Sequence, residues 1–433
     1  MTKEAIFKIL LDWNFWQKDI ETGMPRKFYI DKLTSFLKSG QVITITGARR
    51  SGKSFIMRQL AKSLVAGGVL ANDVFIINFE DPRFPKLDTE FLDRIYETYL
   101  EFVKPKGRPF VFLDEVQEVA NWEKWAGSFH ELRKGNLVIS GSNAKLLSKE
   151  LGTLLTGRHL DLMVLPLSFK EFLQFRGLSV KDDMEMLSNE IAIRGYLRDY
   201  MEYGGFPEAV LRENKKEILL TYFDDLIEKD LIRRHKIRKG EKLKELLRFY
   251  FSNISSPITF GSAEKFLGIS ADTIQKFSQA MEDAYLLFFN KRFSFKIKEQ
   301  DQSPRKIYAI DPGLANIIGF KFSENIGKLA ENAVYLKLLH SAFSNPDIEI
   351  YYWKDDQHRE IDFIVKEKTD VKQLIQVAWD IQQPKTKERE IKSLLKGMEA
   401  LKKKEGIIIN SEIEGEERVN GKIIRFVPIW KWL

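Results

Sequence analysis

Residues 41–60 read QVITITGARRSGKSFIMRQL, a short β-branched run, a glycine-bounded loop and an amphipathic helix in immediate succession. Gly47, the intervening Ala48, Arg49, Arg50 and Ser51, and then Gly52, Lys53 and Ser54 have the spacing of a phosphate-binding loop, with Phe55 opening the helix. In such a loop the glycines let backbone N–H groups turn inward, and the helix N-terminus that follows favours an anion. The expected ligand is ATP, with Lys53 reaching the β- and γ-phosphates and the Ser54 hydroxyl serving Mg²⁺. An α/β fold with a parallel sheet follows, because this loop works only between a strand and a helix.

Downstream, PFVFLDEV at 109–116 is an apolar strand ending in adjacent carboxylates. Asp114 is suited to the Mg²⁺ shell and Glu115 to polarising the water that attacks the γ-phosphate. A third strand, Asn136 to Ser140, runs into Gly141, Ser142 and Asn143. Ser142 or Asn143 could hydrogen-bond the γ-phosphate or its water, or they could form an ordinary turn. GTLLTGR at 152–158 precedes another strand-like run, and Arg158 is a candidate to contact the transferred phosphoryl group in its own or a neighbouring subunit.

Bulk properties narrow the class. With 433 residues, 44% hydrophobic and 30% charged, the chain should fold into two to four soluble domains. It has no uninterrupted apolar run long enough to cross a membrane, and its N-terminus is not that of a secreted protein, so a cytoplasmic location is expected. Zero cysteines exclude disulfides and cysteine nucleophiles, and five histidines argue against a zinc site. The net charge of +7 permits a polyanionic partner. Between Lys229 and Arg248, nine Lys or Arg face three acidic residues, and a second basic patch runs from Lys291 to Lys306. A solvated helix face is the alternative reading of such runs.

GARRSGKS, FVFLDEVQ, ISGSN and GTLLTGRHLDLMVLPLSFKEFL, in that order, resemble a family of archaeal and bacterial AAA+ ATPases that carry a C-terminal domain of unknown function. The similarity continues through EYGGFP at 202–207 and reaches the tail. The resemblance implies an AAA+ P-loop core, maps an arginine finger onto Arg158, and extends to a C-terminal winged-helix and restriction-endonuclease-like region.

The residues beyond the core fit that outline. Residues 241–290 contain two helices around a Gly-Ile-Ser turn, with Phe266, Leu267, Ile269, Ile274 and Phe277 as the inter-helix contact and Ser270 as the cap of the second. This is the pattern of a winged helix, with Lys291–Lys298 as its wing and Asp272, Thr273, Gln275, Lys276 and Gln279 on the exposed face, serving DNA or a protein. Towards the end, Glu331, Asp362 and the strand around Gln376 stand where restriction-endonuclease-like domains place their catalytic groups. Gln376 replaces a metal-binding acid and Ala378 the lysine, so an inactive domain is expected.

The expected organisation is a P-loop core with an N-terminal helical segment at 1–170, a helical lid at 171–238, a winged helix at 239–312 and a degenerate endonuclease-like α/β domain at 313–433. The expected activity is Mg²⁺-dependent hydrolysis of ATP to ADP and phosphate, coupled to DNA or a DNA-associated protein, with a homo-oligomer required if Arg158 acts in trans. The alternatives are a nucleotide-gated interaction module of a defence or toxin-antitoxin system, and a DNA nuclease using the C-terminal domain.

Overall fold

The computed structural model describes residues 1–142, 158–320 and 325–433, in two compact units, Met1–Val164 and Leu165–Leu433. Asn143 and residues 152–157 of the GTLLTGR segment lie outside the described residues.

The first unit is built on a five-stranded sheet in the order β2-β3-β4-β1-β5, where β1 is Val42–Thr46, β2 Val74–Asn78, β3 Phe110–Asp114, β4 Asn136–Gly141 and β5 His159–Met163. Every pairing is parallel. A parallel sheet is covered on both faces, which is why VITIT, VFIIN and FVFLD read as near-continuous apolar runs. Alternate side chains divide between two cores. Phe75, Ile77, Val111, Leu113, Leu137 and Ile139 pack with helices α1 (Lys3–Trp13), α4 (Thr89–Val103) and α5 (Trp122–Glu131). Ile43, Ile45, Ile76, Phe112 and Val138 pack with α2 (Lys27–Leu37) and α3 (Lys53–Ala66).

Edge strand β2 would expose unpaired backbone groups. The segment after α1 closes it: Asn14 donates to the Ile76 carbonyl at 2.8 Å and accepts from the Ile76 amide at 2.6 Å, and the Trp16 indole donates to the Val74 carbonyl at 2.8 Å. Asn14 is 1% exposed, so truncation leaves buried backbone groups unpaired. Asn14→Ala is expected to destabilise the unit by about 2–4 kcal/mol, read as a lower urea midpoint.

The second unit begins with helices Phe169–Phe175, Asp183–Ser188, Glu190–Tyr203, Pro207–Leu211 and Lys215–Asp225, the last continuing into a π-helical stretch, Leu226–Arg233. The EYGGFP segment is explained by packing. A Cβ on Gly204 would meet the Asp311 carboxylate at 1.8 Å, and one on Gly313 would meet the Tyr203 backbone at 2.0 Å. Asp311 binds the Gly205 amide at 2.6 Å and the Leu314 amide at 2.9 Å.

Helix Gly240–Ser252 then leads to β6 (Pro257–Ile258), helices Phe260–Leu267 and Ala271–Asp283, β7 (Leu287–Asn290) and β8 (Arg305–Ala309), the strands forming an antiparallel sheet β6-β8-β7. Leu267, Ile269, Ile274 and Phe277 are buried as expected. Phe266 is not: it is 65% exposed and stacks on Phe249 at 4.9 Å. Ser270 holds the position before the second helix, but its hydroxyl pairs with that of Thr273 at 3.0 Å instead of capping the backbone.

The chain ends in a six-stranded mixed sheet, β13-β14-β12-β11-β10-β9, with β9 Ile348–Lys354, β10 Glu360–Glu367, β11 Asp370–Val377, β12 Glu405–Asn410, β13 Gly415–Val419 and β14 Lys422–Pro428. Helices Ile326–Ser344 and Pro384–Ala400 flank it. Among the described residues no helix is long and apolar enough to cross a membrane.

Candidate functional site

At the C-terminal end of β1 the chain turns through Gly47, whose φ is 143° and whose hypothetical Cβ would lie 2.2 Å from the Val164 carbonyl. No side chain fits there. Arg50 and Gly52 are also left-handed, at φ 68° and 104°, and α3 starts at Lys53 with no side-chain cap. The first N–H groups of α3 are therefore open to an anion. Beside them the Ser51 hydroxyl is buried without a hydrogen-bond partner. From outside the loop, the buried Arg26 donates to the Ser51 carbonyl at 3.0 Å while lying over the Tyr29 ring. Arg49 pairs with Glu80 at 2.7 Å, and the Phe55 ring is 42% exposed against Arg58.

The parallel register brings the ends of β2, β3 and β4 to this same edge. Lys53 Nζ donates to the carbonyls of Gly47 (3.1 Å) and Ala48 (3.2 Å) and lies 3.6 Å from Glu115 Oε1. Asp114 accepts from Asn78 Nδ2 at 2.9 Å and from the hydroxyls of Ser140 and Ser54. Burial and the charge of Glu115 push the Asp114 carboxyl up, against the pull of Ser140, Ser54 and Lys53. Glu115 sits in the left-handed region at φ 52°, its amide donating to Ser140 Oγ at 3.1 Å and its carboxylate accepting from Gln117 Nε2 at 2.5 Å. A non-glycine residue held there is strained, and such strain clusters at functional sites. Ser142 is buried at the end of β4.

Lys53, Ser54, Asp114 and Glu115 are thus brought together, and the arrangement fits a triphosphate with Mg²⁺. It offers an uncapped helix end, an orphaned hydroxyl, a cation, and a hydroxyl and carboxylate already touching. Sequence reasoning missed Asn78, Ser140, Arg26 and Gln117. Asn78 and Ser140 are strand-end polar residues in apolar runs, a signal that could have found them, whereas nothing local marks Arg26.

Arg158 is placed elsewhere. Its carbonyl accepts from the amide of Val42, and Val42 pairs with His159 at the start of β1 and β5, whereas the phosphate loop follows the far end of β1. The length of a five-residue strand, roughly 13 Å, separates the two edges. Exposed there, Arg158 does not reach the loop of its own subunit, so of the two alternatives only action in trans remains open.

In the second unit Glu331 and Asp362 also meet, but around Lys306, which the charge pattern had assigned to a surface patch. Lys306 is 1% exposed, with its ammonium 2.9 Å from Glu331, 2.6 Å from Glu360 and 2.7 Å from Asp362. Burial alone would lower its pKa, yet the surrounding carboxylates hold it well above the ordinary value. Tyr308 donates to Glu331 at 2.7 Å, the Val377 amide to Asp362 at 2.8 Å, and Gln376 Nε2 to Glu390 at 2.9 Å. A lysine ammonium holds the position between the carboxylates that a metal would need, and among the described residues no cluster of three or more His, Asp or Glu side chains is arranged to hold one.

The expected wing is likewise tied down. Arg292 donates to the Lys354 carbonyl at 2.6 Å, the Phe293 amide to the Tyr352 carbonyl at 2.6 Å, and Lys291 and Lys296 pair with Asp301 and Glu299, both at 2.9 Å. A short helix, Ile297–Gln302, interrupts it.

Compared with known proteins, residues 39–173 match an AAA domain, 194–324 a domain of unknown function (DUF8612) and 326–432 another (DUF4143). An uncharacterised protein of Methanocaldococcus jannaschii is 33% identical over 406 residues, spanning 90% of this chain and 88% of the relative. An uncharacterised protein of Haemophilus influenzae is 28% identical over 416 residues, spanning 94% and 98%. Among solved structures, the Walker-type ATPase of Pyrococcus abyssi aligns at 15% identity with a TM-score of 0.43, over 71% of this chain and 98% of its own.

Proposed function

Because the chain belongs to the family of AAA-domain proteins that carry a C-terminal DUF4143 domain, we propose that it hydrolyses ATP to ADP and phosphate with Mg²⁺, and couples nucleotide state to engagement of DNA or a DNA-associated protein. The observation that carries the first part is the convergence of Lys53, Ser54, Asp114 and Glu115 on one sheet edge. Residues 47–54 cradle the phosphates with backbone amides. Lys53 exchanges the carbonyls of Gly47 and Ala48 for phosphate oxygens. Ser54 and Asp114 hold Mg²⁺, which supplies charge neutralisation at the β- and γ-phosphates. Glu115, oriented by Gln117 and Ser140, accepts the proton of the attacking water. Ser140 is a positioning residue, since it touches both carboxylate-bearing residues at once.

Calorimetry with Mg²⁺ tests the binding step. Lys53→Ala removes charge-assisted hydrogen bonds worth about 1.5–3 kcal/mol, so ATP should bind roughly 10- to 100-fold more weakly. No heat of association for any purine triphosphate with the unaltered protein would defeat the reading.

A further inference from the structure

The basic run between Lys229 and Arg248 divides in a way its sequence does not show. On the helical parts five of the six charges are paired among the described residues, Arg248 being the exception: Lys229 with Asp225 (3.0 Å), Arg233 with Glu228 (3.4 Å), Arg234 with Asp230 (3.2 Å), Lys242 with Glu245 (2.7 Å) and Lys244 with Glu241 (3.7 Å). The loop between the helices has no such partners. Lys236, Arg238 and Lys239 are exposed, and among the described residues none of them forms an ion pair. Across from this loop lies helix Ala271–Asp283, and the two enclose an open groove of about 670 Å³. Lys276, exposed and likewise in no ion pair among the described residues, lines the opposite wall with Thr273 and Gln279.

We propose that this groove binds the phosphodiester backbone of a nucleic-acid duplex through Lys236, Arg238, Lys239 and Lys276, with little reading of base sequence. The proposal rests on the DNA-coupled reading above and names where the partner sits. Four cations converge on the groove against one lining carboxylate, Asp283, which is 8% exposed and already accepts from Gln279 at 2.9 Å. Phosphate oxygens are the acceptors such a set fits. A single strand would call for exposed rings on which bases stack. Here the lining offers no exposed phenyl, phenol or indole ring, Phe277 being 7% exposed, and a single imidazole, His235, which favours a duplex. Base readout is poorly served too, because Gln279 is held by Glu282 and Asp283. The expected recognition face is also split: Thr273, Lys276 and Gln279 line the groove, while Asp272 and Gln275 do not.

The test is fluorescence anisotropy of a short, mixed-sequence DNA duplex with the full chain and no nucleotide present. Four phosphate contacts give a log–log salt slope of about −3.6, hence roughly 100-fold weaker binding between about 50 and 200 mM salt. The variant K236N/R238Q/K239Q uses asparagine because Lys236 has φ 51°. It should shallow the slope by about 3 and weaken low-salt binding at least about 10-fold. Its thermal midpoint and ATP binding should be unchanged, since the three side chains are exposed. K276Q alone should shallow the slope by about 1. Three results would each overturn the proposal: no duplex binding at low salt, an unchanged slope in the triple variant, or tighter binding of a single strand. Loss of duplex binding with phosphate release intact sinks the groove alone. Absent phosphate release with duplex binding intact sinks the ATPase reading alone.

Discussion

Glu115→Gln should leave Mg²⁺-ATP binding in place while steady-state phosphate release falls by about 10²- to 10⁴-fold, the usual worth of a positioned general base. The geometry separates the two effects. Binding is carried by the loop amides, Lys53 and Ser54, whereas Glu115 lies 3.6 Å from Lys53 just past the end of β3. Glutamine keeps the shape and tolerates the left-handed backbone as glutamate does. It also keeps an oxygen for Gln117, but it has no basic oxygen to take a proton from water. Structural collapse is not expected, because the carboxylate is surrounded by polar groups, and an unchanged melting curve would confirm that. A variant that turns over at the unaltered rate would remove Glu115 from the chemistry and leave nucleotide sensing as the better description.

The second large effect is expected in the other unit. Lys306→Met should cost about 3–5 kcal/mol, the penalty for leaving buried charges without their partner. Glu331, Glu360 and Asp362 would then face one another with no cation between them. Adding Glu331→Gln to this variant should recover part of the loss above about pH 8, where it removes one of the opposed charges. The same cluster should make stability depend on pH. Burial, followed by the charge of Asp362, pushes Glu331 up to about 8. The folded protein therefore holds this proton more tightly than the unfolded chain does. Stability is present below the ordinary carboxylate range and is lost as pH rises towards about 8, by at most about 1.4 kcal/mol per unit. Urea midpoints between pH 5 and 8 should fall for the unaltered protein and flatten in Glu331→Gln. Equal slopes would show that Glu331 does not titrate in this window, and a stable Lys306→Met would show that the cluster is not what holds β8 to its neighbours.

Motifs whose parts are close in sequence were legible from the start. The spacing from Gly47 to Ser54 and the apolar strand before Asp114 already imply a parallel sheet with a phosphate loop at its edge. Once the strands are parallel, Asp114 and Glu115 must arrive at that edge. Residues at distant positions were misjudged when their neighbourhood was guessed from local composition. For Arg158, which could have acted in its own or a neighbouring subunit, the register of β5 on β1 puts it at the far end of the strands from its own loop and leaves the neighbouring subunit. Lys306 looked like the end of a basic patch, but β8 turns it inward.

Sequence by itself therefore determined the secondary structure of the core, the glycine-bounded loop between β1 and α3 and the pair of carboxylates that meets it. These depend on hydrophobic period and backbone freedom, which act over a few residues. Only the tertiary structure decided which charges are paired. Neutralising a buried lysine takes carboxylates from helix Ile326–Ser344 and strand β10. Whether Lys236, Arg238 and Lys239 stay available depends on which acids the surrounding helices bring within reach. Electrostatic energy falls off over a few ångströms of space and takes no account of separation along the chain.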